Sequence, residues 1–109
     1  MVTQYLEYNI VMSNTTTEAK FQKGFVSWLR KHGCTCFKMT PGPGIPDGTP
    51  DYLCIKDGFW FMIEFKRSKT AKFRPGQQQA LEKYNEMSYA VAVYPENEDK
   101  IKKELEQML

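Results

Sequence analysis

Pro50-Asp51-Tyr52-Leu53-Cys54-Ile55-Lys56-Asp57-Gly58-Phe59-Trp60-Phe61-Met62-Ile63-Glu64-Phe65-Lys66 holds two apolar runs, Tyr52 to Ile55 and Phe59 to Phe65, parted by a short polar break. Asp57-Gly58 within that break is a strong signal for a two-residue hairpin, because the favoured turn needs positive φ at both central positions. Both runs are apolar on successive residues, as central strands covered on two faces should be. The turn also sets a register. Counting outward from Lys56 opposite Phe59, Asp51 falls opposite Glu64. Directly opposed residues share a face with Cβ atoms about 5 Å apart, and Lys66, two residues beyond Glu64, lies on that face too.

Two carboxylates placed opposite each other destabilise a sheet, more so beside strands too apolar to be freely solvated. A divalent cation offsets the repulsion. Mg²⁺ takes oxygen ligands from one or two carboxylates, here Asp51 and Glu64, accepts a backbone carbonyl such as that of Phe65, and keeps several waters. Lys66 then orients a water or stabilises charge in the transition state, and the chemistry implied is phosphodiester hydrolysis. The plainer alternative is a strand-capping Asp51 and a surface ion pair between Glu64 and Lys66. The apolar strand on both sides of Glu64 argues against it. Asp47 also follows a proline but falls beyond the paired region.

Outward from the hairpin, Thr17 is an expected N-cap for a helix to about Lys31, with Phe21, Phe25, Trp28 and Leu29 on one face and Gly33 as the stop. Glu18 shares that face and is expected to point toward the core. Residues 1–16 are expected to form an arm or an extra strand. Cys34 to Met39 reads as a first strand, and the glycine- and proline-rich stretch from Pro41 to Pro50 as a long loop. A helix from Pro75 to about Met87 carries Gln77, Leu81 and Tyr84 on one stripe. Tyr89 to Tyr94 is a fourth strand, and Asn97 is expected to cap a last helix with Ile101, Leu105 and Met108. The fold class is α/β, a single domain over residues 1–109 with the order αβββαβ, a core from about 17 to 94 and a C-terminal helix over about 97–108.

Net charge is only +2, yet Lys66, Arg67, Lys69, Lys72 and Arg74 follow one another with no acid between them. That loop is the expected nucleic-acid contact, with about four or five phosphate contacts. Cys34, Cys36 and Cys54 lack the spacing of a zinc site and read as buried reduced thiols. His32 closes the first helix, where a cation suits the helix dipole, and reads as structural. A lone histidine so placed builds no covalent-catalysis triad, and no glycine-rich nucleotide-binding loop occurs, so no nucleotide cofactor is expected. No apolar run approaches the roughly 20 residues that span a bilayer, and Met1 to Tyr5 has no signal-peptide character. The expected place is the cytoplasm, that of the host if the chain is phage-encoded.

Pro50-Asp51, a strand, a turn and Glu64-x-Lys66 together resemble the PD-(D/E)XK nuclease signature. Glu18 with Gln22 one turn later, the Gly48-Thr49-Pro50-Asp51 approach and Pro75-Gly76-Gln77 after the basic loop resemble its VRR-NUC branch, over about Thr17 to Tyr94. The resemblance implies a restriction-endonuclease-like core, a mixed central sheet of about four strands flanked by helices, and Mg²⁺ or Mn²⁺ dependence. It implies Glu18 as an accessory ligand or water positioner. Gln77 becomes a polar residue near the scissile phosphate, against the alternative of a solvated glutamine in its Gln77-Gln78-Gln79 run. Small stand-alone members are similar to Holliday-junction resolvases, which implies a homodimeric endonuclease acting on branched DNA such as junctions or flaps. The competing class is a noncatalytic nucleic-acid-binding or regulatory module on the same fold; a protein-interaction domain is a third reading, which the basic loop disfavours.

Overall fold

In the computed structural model, which describes residues 2–109 and side chains from Thr17 onward, a four-stranded sheet has helices on both faces. The strands are β1 (Thr35–Lys38), β2 (Tyr52–Lys56), β3 (Phe59–Phe65) and β4 (Tyr89–Val93). They lie in the order β1-β2-β3-β4; the first two pairings are antiparallel and β3–β4 is parallel. A parallel neighbour demands a crossover, and α2 (Gln77–Met87) supplies it. α1 (Val2–Lys31) precedes the sheet, and α3 (Glu98–Met108) follows a single 3₁₀ turn at Pro95–Asn97. Among the described residues no helix is long and apolar enough to cross a membrane.

The hairpin forms in the expected register: Lys56 pairs with Phe59 and Tyr52 with Ile63. Asp57 at φ 49° and Gly58 at φ 84° supply the two positive dihedrals of the tight turn. Strand alternation then sorts the side chains. Phe61, Ile63 and Phe65 join Phe25, Leu29, Ile101 and Leu105 in the main core, beneath α1 and α3. Met62 packs with Leu81 and Ala90 on the α2 side, and Glu64, one pleat on, lies on that side as well. All three cysteines are free and buried, with Cys36 directly opposite Cys54.

Several expectations change. The segment expected as an arm or extra strand is helical: α1 begins at Val2, so Thr17 lies inside it and caps nothing. No glycine or proline interrupts the sequence before Gly24, and extending an existing helix adds one hydrogen bond per residue fixed. Gly33 does end the helix, at φ 90°, through the paired bonds Cys34 N–H to the Leu29 carbonyl and Gly33 N–H to the Arg30 carbonyl. Asn97 puts no side-chain cap on α3; its Oδ1 accepts from Tyr94 N–H at 2.8 Å and its amide donates to the Ala92 carbonyl, closing the 3₁₀ turn instead. β2 is not covered on both faces. The lone helix on that side, α2, lies over β3 and β4, leaving Ile55 exposed beside a groove lined by Leu53, Trp60, Met62 and Met87.

α2 starts two residues later than the Pro75 start suggests, because Gly76 sits at φ 85°, outside any right-handed helix. A close approach accompanies that bend. A Cβ on Gly48, itself at φ 83°, would lie 2.7 Å from the Gly76 carbonyl oxygen, so the glycine-rich loop presses against the N-terminus of α2. Gly44 has a similar φ of 86° with open space around it. Denaturant unfolding should therefore separate strain from collision: Gly44→Ala is expected to cost about 1 kcal/mol, and Gly48→Ala about 2 kcal/mol or more.

Candidate active site

Asp51 immediately precedes β2, and Glu64 is the sixth residue of β3, 4% exposed. Their meeting is a crossed pair of hydrogen bonds. Asp51 N–H donates to Glu64 Oε1 at 3.2 Å, and Phe65 N–H donates to Asp51 Oδ2 at 2.8 Å. Each carboxylate thus takes a backbone donor from the other's strand. In an extended strand the N–H and C=O of one residue point to the same side, so the Phe65 carbonyl is directed toward Asp51 as well.

Gln77 completes the group from α2. At 2% exposure its amide makes three hydrogen bonds: Nε2 donates to Glu64 Oε2 at 3.0 Å, while Oε1 accepts from Lys66 Nζ at 2.8 Å and from Arg74 N–H at 2.7 Å. Gln77 is therefore neither solvated nor a free group awaiting a phosphate; it is a strut between Glu64 and Lys66. The sequence signal for this was the tight Pro75-Gly76 bend, which turns the first residue of α2 inward where Gln78 and Gln79 stay exposed. Lys66 Nζ also donates to the Lys72 carbonyl at 3.1 Å and stands 4.0 Å from Glu64 Oε2. The lysine is held by neutral oxygens more closely than by the carboxylate.

Glu64 consequently carries too little positive compensation. Burial foremost, and then the Asp51 charge, push its carboxyl up to about 7, against the smaller opposing pull of Lys66, the Asp51 N–H and Arg74. Such a donor set fits a divalent cation. Two adjoining carboxylates and a convergent carbonyl suit Mg²⁺ or Mn²⁺, and Asp51, Glu64 and Phe65 are the residues that would hold it. No cluster of three metal-ligating side chains occurs among the described residues, so Glu18 does not join them. It is exposed and lines a small cavity with Gln22, Phe65, Lys66 and Arg67. The reason is packing: Phe21, one turn later, meets Phe65 edge-on at 6.0 Å on the α1 side of the sheet, whereas Glu64 lies on the α2 side.

The remaining expected residues are placed as follows. Arg67, Lys69, Lys72 and Arg74 are exposed along the loop that leaves β3, with Lys69 N–H anchored to Glu96. Asp47 is exposed on the wall of a second cleft that runs from the glycine-rich loop to Arg74 and Gln77. His32 Nδ1 is 2.8 Å from the Trp28 carbonyl and its ring lies against Trp28, a structural placement.

No family model matches the chain, and a sequence search of curated proteins finds no match either. Solved structures do match. The fold is similar to that of a structure described as a VRR_NUC domain, 21% identical, which aligns over 79% of this chain and 94% of its own with a TM-score of 0.65. A second, the Holliday junction resolvase Hjc of Archaeoglobus fulgidus, is 15% identical over 70% of this chain and 67% of its own, with a TM-score of 0.48. The first of these likenesses establishes the fold class: a mixed four-stranded sheet with flanking helices, shared with the VRR_NUC domain structure.

The raised Glu64 carboxyl has a definite sign in stability. Below its ordinary value of 4.5 it is protonated in folded and unfolded chains alike. Between 4.5 and about 7 the folded protein keeps a proton that the unfolded chain has released, so this contribution is lost as pH rises through 7. Without metal, wild type should lose on the order of 3 kcal/mol relative to Glu64→Gln between acid and mildly alkaline pH. Denaturant unfolding of both proteins across that range checks it, and added Mn²⁺ should restore the wild type at high pH.

Proposed function

We propose that this protein is a metal-dependent, structure-selective DNA endonuclease that hydrolyses phosphodiester bonds in branched DNA, junctions or flaps. The observation that carries the reading is the buried Glu64 carboxyl, crossed with Asp51 and strutted by Gln77 to Lys66. An uncompensated pair of carboxylates beside a fixed ammonium is costly for stability and useful for phosphoryl chemistry. A bound Mg²⁺ or Mn²⁺ would supply Lewis acidity toward a phosphoryl oxygen and lower the pKa of a nearby water.

The chain's own groups do the rest. Lys66 Nζ, with two of its donors fixed on Gln77 and Lys72, presents its charge where negative charge grows on the phosphoryl oxygens. Gln77 keeps Lys66 from collapsing onto Glu64, which leaves the carboxylate for the cation. Arg67, Lys69, Lys72 and Arg74 carry the DNA backbone, giving affinity that falls steeply with salt. A four-way junction needs two symmetric cuts, so resolution of one requires a homodimer with two such sites. Glu18, on the cavity wall beside Lys66 and Arg67, serves as a water positioner there rather than as a ligand to the cation. The place of action is the cytoplasm.

Cleavage of labelled four-way, flap and duplex DNA with Mg²⁺ or Mn²⁺ tests the reading. Wild type should cut the branched substrates, and Asp51→Ala, Glu64→Ala and Lys66→Ala should each lose at least about 10²-fold in rate. Gln77→Ala should lose rate with little change in DNA affinity. Tight DNA binding with no cutting under either metal would instead assign a noncatalytic binding module.

A further inference from the structure

Phe73 is 38% exposed, and it sits in sequence among the exposed Lys72, Arg74 and Lys69, the one exposed phenyl ring of the basic loop. Its position is not that of a loose loop side chain. The carbonyl of Lys72 accepts from Lys66 Nζ, and the N–H of Arg74 donates to Gln77 Oε1, so the backbone on each side of Phe73 is tied to the candidate active site. Lys66 Nζ lies over the ring, 4.6 Å from its centroid. The ammonium lies against the ring while 38% of the residue stays open to solvent, beside the place where the scissile phosphate would be held.

Cations that flank an aromatic ring form a recurrent arrangement for single-stranded nucleic acid: the charges follow the backbone and the ring stacks on a base. A base inside a continuous duplex already has neighbours on both faces and offers none to a protein ring. We propose that Phe73 is a stacking platform for an unpaired nucleobase next to the scissile phosphate. The chain thereby selects DNA carrying unpaired nucleotides, such as flaps, over continuous duplex. This rests on the nuclease reading for the position of the phosphate. Phe73 acts as a specificity residue, and its cover over Lys66 is a separate effect that falls equally on all substrates.

The test uses flap DNA with 2-aminopurine as the first unpaired base, and duplex DNA with the same base paired, titrated with the protein in EDTA so that no metal-dependent cutting occurs. Wild type should quench the flap probe and leave the duplex probe little changed. Phe73→Ala should lose the quenching and bind the flap about tenfold more weakly, narrowing the preference for flap over duplex. Phe73→Leu, which keeps the bulk without the ring face, should behave as Phe73→Ala, and Phe73→Trp should keep the quenching. Unchanged quenching in Phe73→Ala, or an equal loss of affinity for flap and duplex, would overturn the proposal. Parallel assays with Mg²⁺ separate the two readings. Quenching lost in Phe73→Ala while wild type cuts nothing supports the platform and removes the nuclease; cutting with quenching indifferent to Phe73 does the reverse. Absence of any DNA binding overturns both.

Discussion

The two-residue turn at Asp57-Gly58 is the constraint on which the site depends. Positive φ at both positions leaves β2 and β3 one register, and a slip by one residue would carry Glu64 to the face beneath α1, among Phe25 and Phe65. In the register adopted, Glu64 accepts from Asp51 N–H and Asp51 accepts from Phe65 N–H across the open end of the hairpin. Repulsion between the carboxylates is thus held in place by two hydrogen bonds and by burial, rather than relieved by distance.

The crossover helix turns that pair into a site. Because β4 runs parallel to β3, the chain must travel back along the sheet, and α2 begins beside the end of β3 that carries Glu64. Its first residue, Gln77, is turned inward by the left-handed Gly76, which the loop around Gly48 approaches closely. The same glutamine oxygen accepts from Lys66 Nζ and Arg74 N–H, so the charged face of β3, the basic loop and the helix start share one polar atom. The path of the loop and the geometry at the carboxylates are coupled through it.

Much of this was legible in the sequence, since local chemistry decides it. The Asp-Gly turn, the uninterrupted apolar runs and the position of Asp51 and Glu64 within them give the hairpin, its register and the charged face. Gly33 and the stripe Phe21, Phe25, Leu29 give the end and inward face of α1. What escaped was tertiary in origin. Gln77 stands out in the sequence only by resemblance, with a solvated glutamine as the alternative; its burial between Glu64 and Lys66 follows from the Pro75-Gly76 bend. Glu18 lies on the helix face that meets the core, yet Phe21 and Phe65 fill the space between helix and sheet and leave it on the rim. The early start of α1 was hidden by three threonines, whose weak helix propensity is easily overridden. Asn97 has the composition of a cap but serves the 3₁₀ turn before it, a choice made by the nearby Tyr94 N–H and Ala92 carbonyl.

The central claim is that buried Glu64 and the neighbouring Asp51 together hold a divalent cation, and calorimetric titration with Mn²⁺ in buffers of different ionisation enthalpy tests it most directly. Wild type should bind Mn²⁺ more tightly as pH rises through about 7, with release of a proton from Glu64 on the acid side of that range. Glu64→Gln should lose both the affinity and the proton release. Absence of Mn²⁺ binding to wild type, or binding equal in the two proteins and indifferent to pH, would contradict the account.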